Sequence, residues 1–249
     1  MSSHLHIELE KLKRRLLNLG ATVENCVERS VQSVLARDKD LGSKVIEGDS
    51  EIDQREIDIE EDCLKILALY QPVAVDLRFL ISVLKINNDL ERIGDLAVNI
   101  AERGLFLLFQ PSFVQPFDMQ EMTRKTRSML RKALDSLVTQ DPILAAEVCS
   151  EDEELDKMNR SMYKNVYEEI KKDPQRVEQL IQYLSISRNL ERIGDYATNI
   201  AEDVIYMVDG HIVRHKTNEF ITSVGHLSQK LTNRGSLPPQ DTAEEATSE

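Results

Sequence analysis

Residue types that mark many disulfide-bonded, aromatic-rich or irregular proteins are scarce in this 249-residue sequence. It contains no Trp, its aromatic residues make up 5%, and it has only 9 Gly and 7 Pro. The three cysteines, Cys26, Cys63 and Cys149, are odd in number and widely spaced, so we expect small apolar core residues rather than disulfides or thiolate metal ligands. Leu, Ile, Glu, Lys and Arg are abundant instead, which favours a helical fold.

An excess of basic residues is also missing. The sequence has 31 Lys and Arg against 44 Asp and Glu, and the resulting net charge of −13 argues against a nucleic-acid-binding protein. An acidic surface instead attracts cations or a basic patch on a partner. No N-terminal segment has the features of a signal peptide, and no apolar run reaches the roughly 20 residues that cross a bilayer. We therefore expect a cytoplasmic protein.

The sequence contains an internal repeat. The six residues that begin at Leu90 recur unchanged from Leu190, and residues 89–102 match residues 189–202 at 11 of 14 positions. A chain made of two related copies is expected to fold into two similar structural units.

Apolar residues at helical spacing, interrupted by helix breakers, predict three helices in each copy. In the first copy the predicted helices span about 4–38, 40–70 and 73–108. In the second copy, aspartates at helix starts and a glycine at the last helix end mark the boundaries: Asp118, Asp141, Asp173 and Gly210. Short connections require antiparallel neighbours, so we expect an all-α fold, a tandem repeat of two antiparallel three-helix bundles.

The repeat also predicts where the units begin and end. The predicted units are 1–112 for the first bundle, 113–212 for the second, and 213–249 for a C-terminal appendage. Within the appendage, about 216–231 is expected to be helical, and the Pro/Thr/Ser/Glu-rich tail from Arg234 is expected to be disordered.

The third helix of each copy carries a narrow acidic stripe. At about 100° per residue, Glu91, Asp95 and Asn99 share one face with Glu102. The second copy repeats the stripe with Glu191, Asp195, Asn199 and Glu202. Like charges at i, i+4 destabilise a helix by a few tenths of a kcal/mol. Their recurrence at matching positions suggests a function that offsets this cost.

The second helix of each copy adds aspartate pairs with the same spacing: Asp49 and Asp53, then Asp152 and Asp156. If these helices pack beside the third helices in register, several carboxylate oxygens could converge in each half. Such convergence would be strongly repulsive unless cations neutralise it.

The residue types around these stripes narrow the choice of metal. The five histidines lie near the chain ends, outside the acidic motifs: His4, His6, His211, His215 and His226. An oxygen-only set of Asp, Glu and Asn suits Mg²⁺, Mn²⁺, Ca²⁺ or oxygen-bridged iron and disfavours zinc and copper. No Glu-x-x-His motif is present, which argues against a di-iron oxidase of the ferritin-like kind. The sequence therefore predicts carboxylate metal sites.

The residues alone leave three other interpretations open. The stripes could be solvated helix faces with Arg92 and Arg192 as salt-bridge partners. Gly94 and Gly194 weigh against this, because a mid-helix glycine costs about 1 kcal/mol relative to alanine and suggests close approach by a backbone or a ligand. A carboxylate-bridged metallohydrolase would need an open metal position and a positioned base, which the sequence does not identify. A metal-free helical adaptor would use the acidic faces for docking only.

Several segments of the chain resemble the PhoU family: Pro72–Arg78, the two Leu-Glu-Arg-Ile-Gly-Asp segments with Asn-Ile-Ala-Glu after them, and Gly210 after Val204–Met207. The resemblance covers about residues 4–216. It implies a pair of three-helix bundles and a cytoplasmic regulator of phosphate uptake. Members of the family are thought to restrain the Pst phosphate transporter and to keep a sensor histidine kinase from activating the phosphate-starvation response. Some bind multinuclear metal clusters on the acidic faces, iron among them.

Carried over by position, the resemblance implies metal ligands at Glu91, Asp95, Glu191 and Asp195, with further partners at Asn99, Asn199, Asp49, Asp53, Asp152 and Asp156. The implied cofactor is a multinuclear cluster, with iron favoured over Mg, Mn or Ca. The implied partners are the ATPase subunit of a phosphate ABC transporter and a sensor histidine kinase, and the chain would reach a membrane only through them. We expect a homodimer, no nucleic-acid binding and no enzymatic activity.

Overall fold

The computed structural model describes residues 3–112 and 115–210, and its regular structure within these ranges is entirely helical. The first half contains α1 (Ser3–Ala36), α2 (Lys39–Glu47), α3 (Asp49–Tyr70) and α4 (Ala74–Leu108). The second half contains α5 (Met119–Thr139), α6 (Pro142–Lys172) and α7 (Val177–Asp209), with a 3-10 turn at Pro174–Arg176. The predicted all-α fold of two antiparallel three-helix bundles is confirmed.

One predicted helix is divided in the structure. The sequence predicts a single helix over about 40–70, but α2 and α3 are separated at Gly48. Gly48 keeps helical angles (φ −75°, ψ −11°), and its N–H donates to the Lys44 carbonyl at 3.1 Å. Glycine has a low helix propensity, which makes it a favourable place for the interruption. As a consequence Asp49 lies in the first turn of α3, where the helix dipole favours a negative charge.

Capping contacts confirm the helix boundaries predicted at Asp118, Asp141 and Gly210, whereas Asp173 caps the 3-10 turn and α7 begins only at Val177. Asp118 accepts a hydrogen bond from the Glu121 N–H at 2.9 Å, and Asp141 accepts one from the Ile143 N–H at 2.8 Å. Gly210 follows α7 with a φ of 73°, a left-handed conformation that glycine adopts without strain.

A continuous apolar core runs through both halves. Leu16 and Leu19 of α1 are fully buried in it, as are Leu90 of α4 and Leu190 of α7, which occupy equivalent positions of the repeat. Full burial of one such side chain stabilises the fold by about 1.5–3 kcal/mol. The predicted division into units stays a prediction: 1–112, 113–212 and an appendage, 213–249, that lies outside the described residues.

The cysteines pack as apolar residues, which confirms that prediction. All three are free; Cys63 is buried in the core, and Cys26 and Cys149 pack against it. Burial, with smaller effects of nearby carboxylates, raises the pKa of Cys63 and of Cys149 to about 12. Their thiols are therefore poor nucleophiles at neutral pH. Across the described ranges, no helix has the length and apolar character needed to cross a membrane.

α4 and α7 pack against each other in antiparallel orientation and join the two halves. Near the start of α4, Ser82 Oγ donates to the Asp203 carbonyl at 3.3 Å; beyond its end, Gln179 Nε2 donates to Gln110 Oε1 at 3.4 Å. The Asp203 side chain is only 2% exposed and forms an ion pair with Lys85 Nζ at 3.0 Å. A charge buried between the bundles makes their register sensitive to this pair.

Replacing Lys85 with Ala should destabilise the protein, because the buried Asp203 carboxylate would lose its cation. We expect the free energy of unfolding, measured by urea denaturation, to fall by roughly 2 kcal/mol, less than for a fully buried pair since Lys85 is 38% exposed. Lys65→Ala is the matched control. Lys65 pairs with Glu61 where both are about 60% exposed, so its removal should cost less than about 0.5 kcal/mol. Equal losses in the two variants would contradict this account.

Candidate functional site

Close packing at two glycines brings the acidic helices together. α3 lies against α4 at Gly94, where an added methyl group would stand 3.2 Å from Ile52 Cδ1 and 3.7 Å from Asp49 Oδ1. α6 lies against α7 at the equivalent Gly194, where a methyl group would overlap Leu155 Cδ2. The close approach predicted at both glycines is therefore an approach of neighbouring helices, and it places the aspartates of α3 and α6 beside the acidic stripes.

The first acidic cluster consists of Asp49, Asp53, Glu91 and Asp95. Partial burial raises the pKa of Asp49, and the charges of Asp53 and Asp95 raise it further. Partial burial also raises the pKa of Glu91, followed by the charge of Asp95 and, more weakly, that of Asp53. Asp49 and Asp53 lie on α3, whereas Glu91 and Asp95 lie on α4. Because charges on one helix raise pKa values on the other, the carboxylates of the two helices are neighbours.

The second acidic cluster consists of Asp152, Asp156, Glu191 and Asp195. Desolvation by burial, then the charges of Asp195 and Asp156, raise the pKa of Asp152 to about 6. Desolvation, then the charges of Glu191 and Asp156, raise the pKa of Asp195 to about 6, although its side chain reaches solvent. The repeat has therefore produced two acidic clusters, and carboxylates are hardest to ionise in the second.

A local arginine neutralises part of the first acidic cluster. Arg92 Nη1 donates to Asp95 Oδ2 at 3.2 Å, and Arg92 Nε lies 3.4 Å from Glu91 Oε2. The salt-bridge interpretation of the stripe therefore describes two contacts of this cluster, although ion pairs to a half-exposed arginine contribute little. In the second acidic cluster the charge of Arg192 lowers the pKa of Asp195 but does not outweigh the effects that raise it.

Two carboxylate oxygens of the clusters, Asp49 Oδ1 and Asp152 Oδ1, are buried with no hydrogen-bond donor among the described residues, and a third, Glu91 Oε2, has only the 3.4 Å ion-pair contact with Arg92 Nε. A buried acceptor without a donor costs about 1–3 kcal/mol, and more when it is charged. A cation would supply the missing interaction, and oxygen-only donor sets suit hard cations. The donor chemistry therefore fits the predicted Mg, Mn, Ca or iron.

The carboxylate side chains of the two clusters do not form a closed metal site in this structure. In the part of the chain that the structure describes, no three His, Cys, Asp or Glu side chains are arranged to hold one ion. The carboxylates are near enough to raise one another's pKa, an effect that acts across several ångströms, but they do not converge on one point. Binding would need side-chain rotations that turn the free oxygens inward. The metal-ligand assignments therefore stay predictions.

Two predicted ligands, Asn99 and Asn199, lie at the edge of the clusters. Each is half-buried one turn beyond its aspartate, Asp95 or Asp195, on the same helix face. Glu202 belongs to the predicted stripe but not to the predicted ligands, and its charge contributes to the raised pKa of Asp152. The second acidic cluster thus extends further along α7 than the predicted ligand set.

The sequence analysis does not identify a buried polar contact beside each cluster. In the first half, Asn87 Nδ2 donates to Glu56 Oε1 at 3.1 Å. In the second, Ser187 Oγ donates to Asn159 Oδ1 at 3.0 Å; burial raises the pKa of Glu191, and a hydrogen bond from Asn159 opposes that increase. The offset that aligns the aspartate pairs also aligns Glu56 with Asn159, so the repeat itself contained this signal.

Comparisons with known proteins agree with this arrangement of two related halves. Residues 16–104 and 119–204 match the PhoU domain. The chain belongs to the PhoU family. A "Phosphate-specific transport system accessory protein PhoU homolog" of Pseudomonas putida is 37% identical over 216 residues, covering 86% of this chain and 84% of that protein. The homolog of Aquifex aeolicus is 33% identical over 209 residues, covering 84% and 95%.

Solved structures of PhoU proteins share the fold. The crystal structure of PhoU from Pseudomonas aeruginosa matches with a TM-score of 0.80 and 36% identity, covering 83% of this chain and 99% of that chain. The phosphate transport system regulatory protein PhoU from Streptococcus pneumoniae matches with a TM-score of 0.75 and 30% identity, covering 84% and 99%. The family resemblance that the duplicated motif indicates is confirmed.

The raised pKa values predict that metal-free protein becomes more stable as the pH falls toward 5. Asp152 has a folded-state pKa of about 6 against an ordinary value of 3.8, so between these values the folded state binds a proton that the unfolded chain does not. Lowering the pH from about 7.5 to about 5 with a chelator present should raise the free energy of unfolding by roughly 1–2 kcal/mol after allowing for solvent screening.

Two variants separate this effect from the titration of other groups. Asp152→Asn should reduce the dependence, because one of the two carboxyls with a pKa of about 6 is gone while Asp195 still titrates. Glu153→Gln is the matched control, since its side chain is 73% exposed on the same helix, and it should keep the dependence of the unmodified protein. The same slope in Asp152→Asn as in the unmodified protein would show that the cluster does not titrate as described.

Proposed function

We propose that this protein regulates phosphate uptake as a non-enzymatic accessory protein of a phosphate transport system. Family membership carries the proposal, because relatives that are 33% and 37% identical, and that align with most of this chain, are named as accessory proteins of the phosphate-specific transport system. The feature that both halves of the chain repeat is an acidic cluster on a helix pair. Such a surface is suited to binding cations and basic partners.

The proposed partners are the ATPase subunit of a phosphate ABC transporter and a sensor histidine kinase, met on the cytoplasmic side of the membrane. The net charge of −13 supports an electrostatic component in these contacts. Positive patches on either partner would attract this surface over distances of about a Debye length, roughly 10 Å at 0.1 M salt. The homodimer that the family resemblance implies also stays a prediction.

Deleting the gene should leave phosphate-starvation genes expressed when phosphate is plentiful, because the sensor kinase would no longer be restrained. A transcriptional reporter measures this in the deletion strain and in a strain with the gene restored. In vitro, association of the protein with the immobilised ATPase subunit should slow as the salt concentration is raised, since charges at the edge of an interface act mainly on the association rate. Normal repression in the deletion strain, with no binding to either partner at low salt, would defeat the proposed regulatory role.

We further propose that each acidic cluster binds hard metal ions, with an iron-containing multinuclear cluster favoured. Two buried oxygens without donors, Asp49 Oδ1 and Asp152 Oδ1, support this, and so do the carboxylates whose pKa is raised by burial and by mutual repulsion. In each half, an aspartate pair from one helix and a Glu-x-x-x-Asp pair from its neighbour would hold the ions. A bound ion would supply positive charge that offsets the repulsion between these carboxylates.

Replacing Glu91, Asp95, Glu191 and Asp195 with Ala should remove most of the bound metal while leaving helicity nearly intact. Metal content is measured by elemental analysis and helicity by circular dichroism. The control is a quadruple Ala variant at exposed glutamates outside the clusters: Glu10, Glu47, Glu61 and Glu168. Chelation should also lower the melting temperature, because a ligand at 100 times its Kd stabilises the folded state by about 2.7 kcal/mol. Unchanged metal stoichiometry in the cluster variant would contradict the metal hypothesis and favour a metal-free adaptor.

A further inference from the structure

The second helix of each half, α3 or α6, lies on the outside of the molecule. Helices α1, α4, α5 and α7 pack on one another in the centre. α3 packs on α1 and α4, whereas α6 packs on α5 and α7. The two outer helices are therefore on opposite sides of the central four, and each turns one face toward solvent.

The solvent-facing side of α3 combines apolar and acidic residues. Ile57 and Leu64, two turns apart, are 46% and 54% exposed. Glu60 and Glu61 are also exposed and flank the line between them at about 100° per residue. We call these four residues the α3 outer face. Because α3 as a whole carries eight acidic and two basic residues, this face is an apolar line within an acidic surface.

The solvent-facing side of α6 combines aromatic and basic residues. The offset that aligns the aspartate pairs also aligns the α3 outer face with four residues that we call the α6 outer face: Arg160, Tyr163, Lys164 and Tyr167. Tyr163 and Tyr167 are 46% and 60% exposed, and both cations are exposed as well. Residues 157–172 contain five basic and two acidic residues. Equivalent positions of the two halves therefore carry opposite charge.

The two outer faces complement each other in length and in chemistry. Each extends over seven residues, which is about 10 Å of helix. In an antiparallel pairing of the two helices, Ile57 lies opposite Tyr167, whose ring offers apolar area to an aliphatic side chain. The same pairing places Glu61 beside Lys164, so opposite charges fix the register. Since the faces lie on opposite sides of one molecule, only a second molecule brings them together.

We propose that the α3 outer face of one molecule binds the α6 outer face of a second molecule. The contact joins two different faces, so it is heterologous and extends into chains or closes into rings. A two-fold homodimer would need another surface, because these two faces lie on opposite sides of the molecule. Four residues a side bury far less than the roughly 800 Å² per partner of a stable interface, so the contact forms only at high protein concentration.

Analytical ultracentrifugation of the full-length protein at low salt tests the contact, with a chelator present so that metal ions do not bridge molecules. The weight-average mass should rise with protein concentration. Lys164→Glu and Glu61→Lys should each raise the concentration needed for half-maximal association about tenfold or more, since each turns an attraction into a repulsion. Lys39→Glu is the matched control. It makes the same charge change as Lys164→Glu at an exposed position of α2, outside both faces, and should leave the association unchanged.

A mixture of the Lys164→Glu and Glu61→Lys proteins separates this contact from a general effect of charge. In the mixture the two reversed faces meet each other and the two unmodified faces meet each other, so the association of the unmodified protein should return. Failure of the mixture to recover would overturn the proposal, and so would a mass of the unmodified protein that is constant over the concentration range. Binding to anionic lipid vesicles that Lys164→Glu abolishes, without self-association, would also overturn it, because the occupant would then be a membrane.

Discussion

The packing of one helix directly onto a glycine of its neighbour is the contact on which both acidic clusters depend. At Gly94 and Gly194 the absence of a Cβ lets Ile52 and Leu155 reach the backbones of α4 and α7. A larger residue would push the helices apart and separate the carboxylates they carry. Glycine costs about 1 kcal/mol in a helix interior, yet at these two positions it sets the distance between the charged side chains of each cluster.

The carboxylates that this packing brings together repel one another, so the rest of the fold must hold them in place. Core residues on the opposite faces of the same helices, such as Leu90, Ile93 and Ile193, are fully buried, and their packing opposes the repulsion. Unfavourable local interactions that are offset by favourable packing elsewhere are typical of functional sites. The two clusters also differ, because Arg92 contacts two carboxylates of the first cluster, so we expect them to differ in pH response.

The duplication accounts for each bundle better than for the contact between them. Lys85 and Asp203 join α4 to α7, yet the equivalent positions of the other copy hold Ser185 and Arg103. Two identical copies would form this pair on both sides of the interface between α4 and α7. A pair on one side only therefore requires that the sequence of one copy has changed. The division of the second helix at Gly48 is a further departure from symmetry, since α6 continues without interruption.

The sequence by itself determined the helices and the composition of the acidic faces. Caps at Asp118, Asp141 and Gly210 act on backbone groups within one turn, and i, i+4 spacing is a local property, so both could be predicted without knowing the fold. Only the tertiary structure decided how far Asp49 lies from Asp95, or that the Asp203 carboxylate is buried beside Lys85. These pairs are distant in sequence, and no local pattern records the register between their helices. The raised pKa of Asp152 is likewise a tertiary property, because desolvation depends on which atoms from other helices exclude water from the carboxylate.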